Sequence, residues 1–77
     1  MNEPDFRGIH EMLAGMSMKD LKPIRKLFGG SLGGASGKAA TIDAMTSQLE
    51  YWWRFSNREA AEDAIGAIRE AWRSRYG

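Results

Sequence analysis

Lys19, Lys22, Arg25, Lys26 and Lys38 are the residues of this 77-residue chain whose type and spacing suit a definite chemistry. The first four fall at steps of three, three and one along a helical pattern. The fifth closes a glycine-rich run, Gly29-Gly30-Ser31-Leu32-Gly33-Gly34-Ala35-Ser36-Gly37-Lys38. Cationic side chains spaced in this way can neutralise neighbouring phosphates, giving binding that is weak, salt-sensitive and tolerant of base sequence. Residues 1–16 carry a net charge of −2, residues 17–54 carry +3, and residues 55–77 are neutral. The overall charge of +1 therefore conceals a basic middle. Backbone N–H groups where a helix opens after Gly37, together with Lys38, would add a contact for a single anion.

The glycine-rich run does not meet the requirements of a nucleotide-binding loop. Such a loop needs glycine five residues before its Gly-Lys pair and Ser or Thr directly after the lysine. Here Leu32 and Ala39 stand in those places, and the run follows a helical pattern instead of a strand. His10 is the sole histidine; with no cysteine in the chain and no acidic or histidine cluster at ligand spacing, it reads as a boundary or surface residue. Ser31 and Ser36 have no general base in local reach. Glu11, Glu50, Glu59, Glu62 and Asp63 read as solvated helix faces. No nucleophile, base and orienting group come together, so the expectation is a non-enzyme with no metal, cofactor or small-molecule substrate.

A second kind of surface is also legible. Trp52 and Trp53 point about 100° apart on a helix, so one fills the core and the other lies at its margin. In the last segment Ala60, Ala64, Ala67 and Ala71 form a small-residue seam beside the bulkier Ala61, Ile65, Ile68 and Trp72. An exposed Trp53 with Arg54, next to Ala60, Ala64 and Ala67, would suit another protein or a second copy of the chain.

These groups must be positioned by helices, because no alternating strand pattern appears. Phe6, Ile9, Leu13 and Met16 share one face of a short, loosely held helix within residues 1–16, with Pro4 in its first turn. Ser17 and Asp20 form an N-terminal capping signal, and Pro23 argues for a turn at 17–20 followed by a regular helix over 21–28. Gly29 or Gly30 is the expected stop, and Leu32 tucks the glycine run onto the core. A third helix is expected over about 38–54 and a fourth over about 57–75, the latter opened by a Ser56/Glu59 capping box. Its early acids and late arginines complement the helix dipole.

Residues 17–49, Ser-Met-Lys-Asp-Leu-Lys-Pro-Ile-Arg-Lys-Leu-Phe through Gly37-Lys38 to Leu49, resemble the helix–extended loop–helix superfamily. That group includes SAP domains, the N-terminal segment of transcription terminator Rho, and LEM domains. Ser17, Leu21, Lys22, Leu27, Gly30, Leu32, Gly37, Lys38, Ile42 and Met45 carry the likeness. The resemblance to SAP-type members implies contact with the DNA backbone through Gly37 and Lys38, supported by Lys19, Lys22, Arg25 and Lys26. The loop here is longer and richer in glycine, and Ala39-Ala40-Thr41-Ile42-Asp43 lacks the extra cations of DNA-binding members. LEM-like members bind proteins, so the fold does not choose the partner.

The expectation is thus one all-α domain spanning 1–77, a three- to four-helix bundle containing a helix–extended loop–helix unit over 17–54. Its expected core is Leu21, Ile24, Leu27, Ile42, Met45, Leu49, Trp52, Ile65, Ile68 and Trp72. The expected partner is double-stranded DNA; the alternative is protein interaction or self-association. The polar, acidic start does not read as a signal peptide and no stretch is long enough to span a bilayer, so the expected compartment is the cytoplasm.

Overall fold

The computed structural model describes residues 3–76, Ser31 by its backbone alone, so the reading of the Ser31 hydroxyl lies outside the described residues. Four helices follow in order: α1 (Phe6–Gly15), α2 (Met18–Phe28), α3 (Lys38–Phe55) and α4 (Arg58–Tyr76). A 3-10 turn, Gly29–Leu32, leads out of α2. No strand occurs among the described residues, and the protein is a small all-α bundle. Among the same residues, no helix is long and apolar enough to cross a membrane.

The helix starts differ in detail from the sequence expectation. Asp5 caps α1 by accepting from the Gly8 N–H at 3.0 Å, so Pro4 stands before the cap and not in the first turn. Ser17 caps α2 as expected, its hydroxyl accepting from the Asp20 N–H at 3.2 Å. From there α2 runs unbroken through Pro23, where a turn followed by a shorter helix is expected. The proline removes the donor that would pair with the Lys19 carbonyl, but Lys19 and Pro23 are both exposed, so water can take that place. Asn57, not Ser56, caps α4, accepting from the Ala60 N–H at 3.0 Å. Ser56 instead closes α3 through its N–H to the Trp52 carbonyl, which leaves the next residue free to cap.

One core joins all four helices. Ile9, Leu13 and Met16 enter it from the N-terminal segment, Leu21, Ile24 and Phe28 from α2, Ile42, Met45 and Leu49 from α3, and Ala64, Ile65 and Ile68 from α4. Leu13, Met45, Leu49 and Ile68 are each 0% exposed. The N-terminal helix is therefore integral to the bundle and not loosely held. Its last residue, Gly15, lies against the indole of Trp72, where an added Cβ would come within 3.0 Å of the ring. Leu32 is buried, as expected, and brings the glycine-rich turn onto α3.

Three core assignments are corrected. Leu27 is 53% exposed, and Phe28 takes the inward place. Leu21, Ile24 and Phe28 follow the three- and four-residue steps of one face, whereas Leu27 is turned about 100° from Phe28. On α3 the inward tryptophan is Trp53, in step with Met45 and Leu49, and the Arg58 guanidinium covers its ring at 4.3 Å. Trp52 is half-buried and stacks on Phe28 with ring centres 5.3 Å apart. Trp72, also expected in the core, is half-buried at its edge.

Candidate functional site

On α2 the inward face of Leu21, Ile24 and Phe28 dictates what faces out. At 100° per residue, Lys19, Lys22 and Lys26 fall within a sector of about 60° on the opposite side. All three are exposed. The ion pairs of the described residues involve His10, Arg54, Arg73 and Arg75, and no lysine takes part in one. The one acid on α2, Asp20, turns toward α4, where its carboxylate lies 3.6 Å from Arg75 Nε. That contact is an ion pair without a hydrogen bond, since the same oxygen is shielded from solvent and has no hydrogen-bond donor. The lysine strip is left without a neutralising carboxylate. Such groups can meet an anion without first breaking an internal pair.

Of the six residues expected to contact phosphate, Lys22, Arg25 and Lys26 border one hollow, Lys38 another, and Lys19 the groove between α2 and α4. Lys22 and Lys26 border a hollow with Pro23, Arg25 and Gly29. Arg25 is half-buried, and its Nη2 donates to the Ala35 carbonyl at 3.0 Å. It ties the glycine-rich connection back to α2, a structural role that leaves fewer donors free. Gly37 precedes α3 at φ +84 and ψ 160, a conformation open to glycine almost alone. The first turn of α3 has no side-chain cap and no acidic residue. Lys38 is exposed, but it borders a different hollow, between α1 and α3, with His10, Ala14, Ile42 and Asp43.

That second hollow holds a pairing the sequence does not reveal. His10 Nε2 lies 2.8 Å from Asp43 Oδ1, joining α1 to α3 across 33 positions of chain. The carboxylate also faces the neighbourhood of Lys38, which makes this end less favourable to a phosphate than the α2 strip. No group of three or more metal-ligating side chains occurs among the described residues.

The protein-interaction surface expected at Trp53, Arg54, Ala60, Ala64 and Ala67 is not assembled. Trp53 and Ala64 are buried, at 8% and 2% exposure. Arg54 is held by Glu3, whose Oε1 accepts from Nε at 2.8 Å and from Nη2 at 2.6 Å, with Glu50 further off at 3.9 Å. The hydrogen bond to Glu3, with its charge, raises the Arg54 pKa above its ordinary value. Ala60 and Ala67 are half-buried. Ala67 lines a groove between α2 and α4 that also holds Pro23, Ile24, Leu27 and Ala71. The exposed Leu27 could have pointed to that groove, had the choice between residues 27 and 28 been visible. Phe55, 76% exposed, and Tyr51, 54% exposed, form a further aromatic pair with centres 5.9 Å apart.

Comparison with protein-family models, with curated proteins and with solved structures gave no match for this chain.

Proposed function

We propose that this protein is a small nucleic-acid-binding module that contacts the phosphates of double-stranded DNA through the outward face of α2. The observation that supports the reading is the strip of Lys19, Lys22 and Lys26, exposed on one helix face and free of carboxylate partners among the described residues. The rise of a helix separates Lys19 from Lys22 by about 4.5 Å and Lys22 from Lys26 by about 6 Å along its axis. Flexible lysine stems bridge from such a row to neighbouring backbone phosphates, and three point charges neutralise charge without reading bases. Arg25 and Gly37 serve this surface indirectly, by holding the glycine-rich connection in place. Lys38 is peripheral to it. The resemblance of residues 17–49 to SAP-type domains agrees with DNA as the partner, and a cytoplasmic setting goes with that role. No chemical step belongs to this reading.

The test is a titration of labelled duplex DNA followed by fluorescence anisotropy at several salt concentrations. Three phosphate contacts predict a slope of log K against log salt of about −3, and a loss of roughly 40-fold in affinity between about 50 and about 200 mM salt. Lys22→Ala or Lys26→Ala makes the slope shallower by about one each, whereas Lys38→Ala leaves it nearly unchanged. Absence of binding at low salt, or a slope indifferent to the α2 lysines, sinks the proposal.

A further inference from the structure

The groove between α2 and α4 meets the lysine strip at Lys19 and is otherwise lined mainly by apolar and small side chains. The Asp20–Arg75 pair sets the start of α2 beside the end of α4, so the two helices run in opposite directions along the groove. One wall carries Pro23 and Ile24 and ends in Leu27; the other is built from the small Ala67, Ala71 and Ser74, in step on one face of α4. Leu27 projects from its wall, 53% exposed, while the alanines opposite leave a depression. A projecting side chain and a wall of small residues therefore lie on the same face, across the groove from each other. That is the requirement of an isologous contact, in which one patch is complementary to itself.

We infer that this groove is the contact between two copies of the chain. A two-fold axis along the groove lays the α2 wall of one copy over the α4 wall of the other, so each Leu27 enters the Ala67–Ala71 hollow of its partner copy. The charges at the rim favour this occupant. The groove lining holds two cations, Lys19 and Arg75, and two acids, Asp20 and Glu70, so two such faces meet with no excess of either sign, although no acid among the described residues is paired with Lys19 itself. A strongly acidic or basic partner finds no complement on this face. The net charge of +1 likewise sets up little repulsion between copies. An interface of standard size covers about 800 Å² on each partner, about a sixth of the 4911 Å² that this chain exposes, so a single face can supply it. The two surfaces share Lys19, which lines the groove, whereas Lys22 and Lys26 lie outside it.

Sedimentation equilibrium over about 10 µM to about 1 mM protein tests it, the range in which weak dimers form. The expected result is an average mass that rises from one chain toward two. Leu27→Glu abolishes that rise with helical content and thermal midpoint unchanged, since an exposed side chain leaves the core intact. The geometry is tested by mixing Leu27→Cys chains with Ala71→Cys chains under mild oxidation; the natural chain has no cysteine to interfere. Mixed disulfide dimers in preference to like-with-like dimers support the contact, and like-with-like dimers alone overturn it. A monomer throughout the range overturns it, as does a dimer indifferent to Leu27→Glu, which would place association elsewhere. A Leu27→Gln chain, which adds no charge beside Lys26, likewise loses the rise in mass but keeps the salt slope of the natural chain in the DNA titration, so failure here is separate from failure of the DNA reading.

Discussion

Thr41 and Thr46 lie on the same helix and use their hydroxyls in opposite ways, which allows the energetics of the core to be tested by one paired substitution. Thr46 Oγ1 donates to the Ile42 carbonyl at 2.9 Å from a half-buried position. Thr41 is 0% exposed, and its Oγ1 has no hydrogen-bond partner among the described residues. A hydroxyl removed from water without compensation destabilises a fold by about 1–3 kcal/mol. Valine keeps the shape of threonine and has a similar helix propensity, so Thr41→Val removes that penalty with little else altered. We expect a gain of about 1–2 kcal/mol, which for a domain of this size raises the thermal midpoint by roughly 4–16 °C. Thr46→Val gives up a hydrogen bond with a net value of about 0.5–1.5 kcal/mol and is partly offset by the added apolar contact, so it should be neutral or mildly destabilising. Circular-dichroism melts and urea titrations of both variants measure the difference. If Thr41→Val destabilises the protein, or if the two variants shift together, the hydroxyl of Thr41 is bonded and the argument fails.

Three further outcomes follow from the same structure. Gly37→Ala should destabilise the protein by about 1–3 kcal/mol, because φ +84 with ψ 160 excludes a Cβ, whereas Gly34→Ala, at a residue without positive φ, should be close to neutral in urea titrations. Trp53→Ala removes a buried indole and should be destabilising by about 3–5 kcal/mol, while Phe55→Ser at the exposed end of α3 should change the melting midpoint little. Arg25→Met loses the bond to the Ala35 carbonyl and should destabilise by about 1 kcal/mol, with faster amide exchange concentrated in residues 29–37; Lys22→Ala should do neither.

The sequence by itself determined the class of fold and the frame of the core. Ile9 and Leu13, Met45 and Leu49, and Ile65 and Ile68 recur at helical steps, and burial of one stripe per helix is the only arrangement that removes those side chains from water. Ser17 as a cap and the glycine-rich break after Phe28 were also legible, because capping and chain reversal depend on local chemistry. The outward strip of Lys19, Lys22 and Lys26 follows from the same periodicity, since the buried face of α2 leaves those positions no other direction. Adjacent bulky pairs were not decidable. Leu27 and Phe28, or Trp52 and Trp53, satisfy an apolar stripe equally well until a neighbouring helix fixes the angle at which each face is viewed. Only the tertiary structure chose Phe28 and Trp53, joined His10 to Asp43, held Arg25 on Ala35, and set Lys38 at a different hollow from Lys22 and Lys26. The physical reason is one of range. Helical periodicity is written in steps of three and four residues, whereas the meeting of α2 with α4, or of α1 with α3, is set by how whole side-chain surfaces interlock, and no local spacing encodes it.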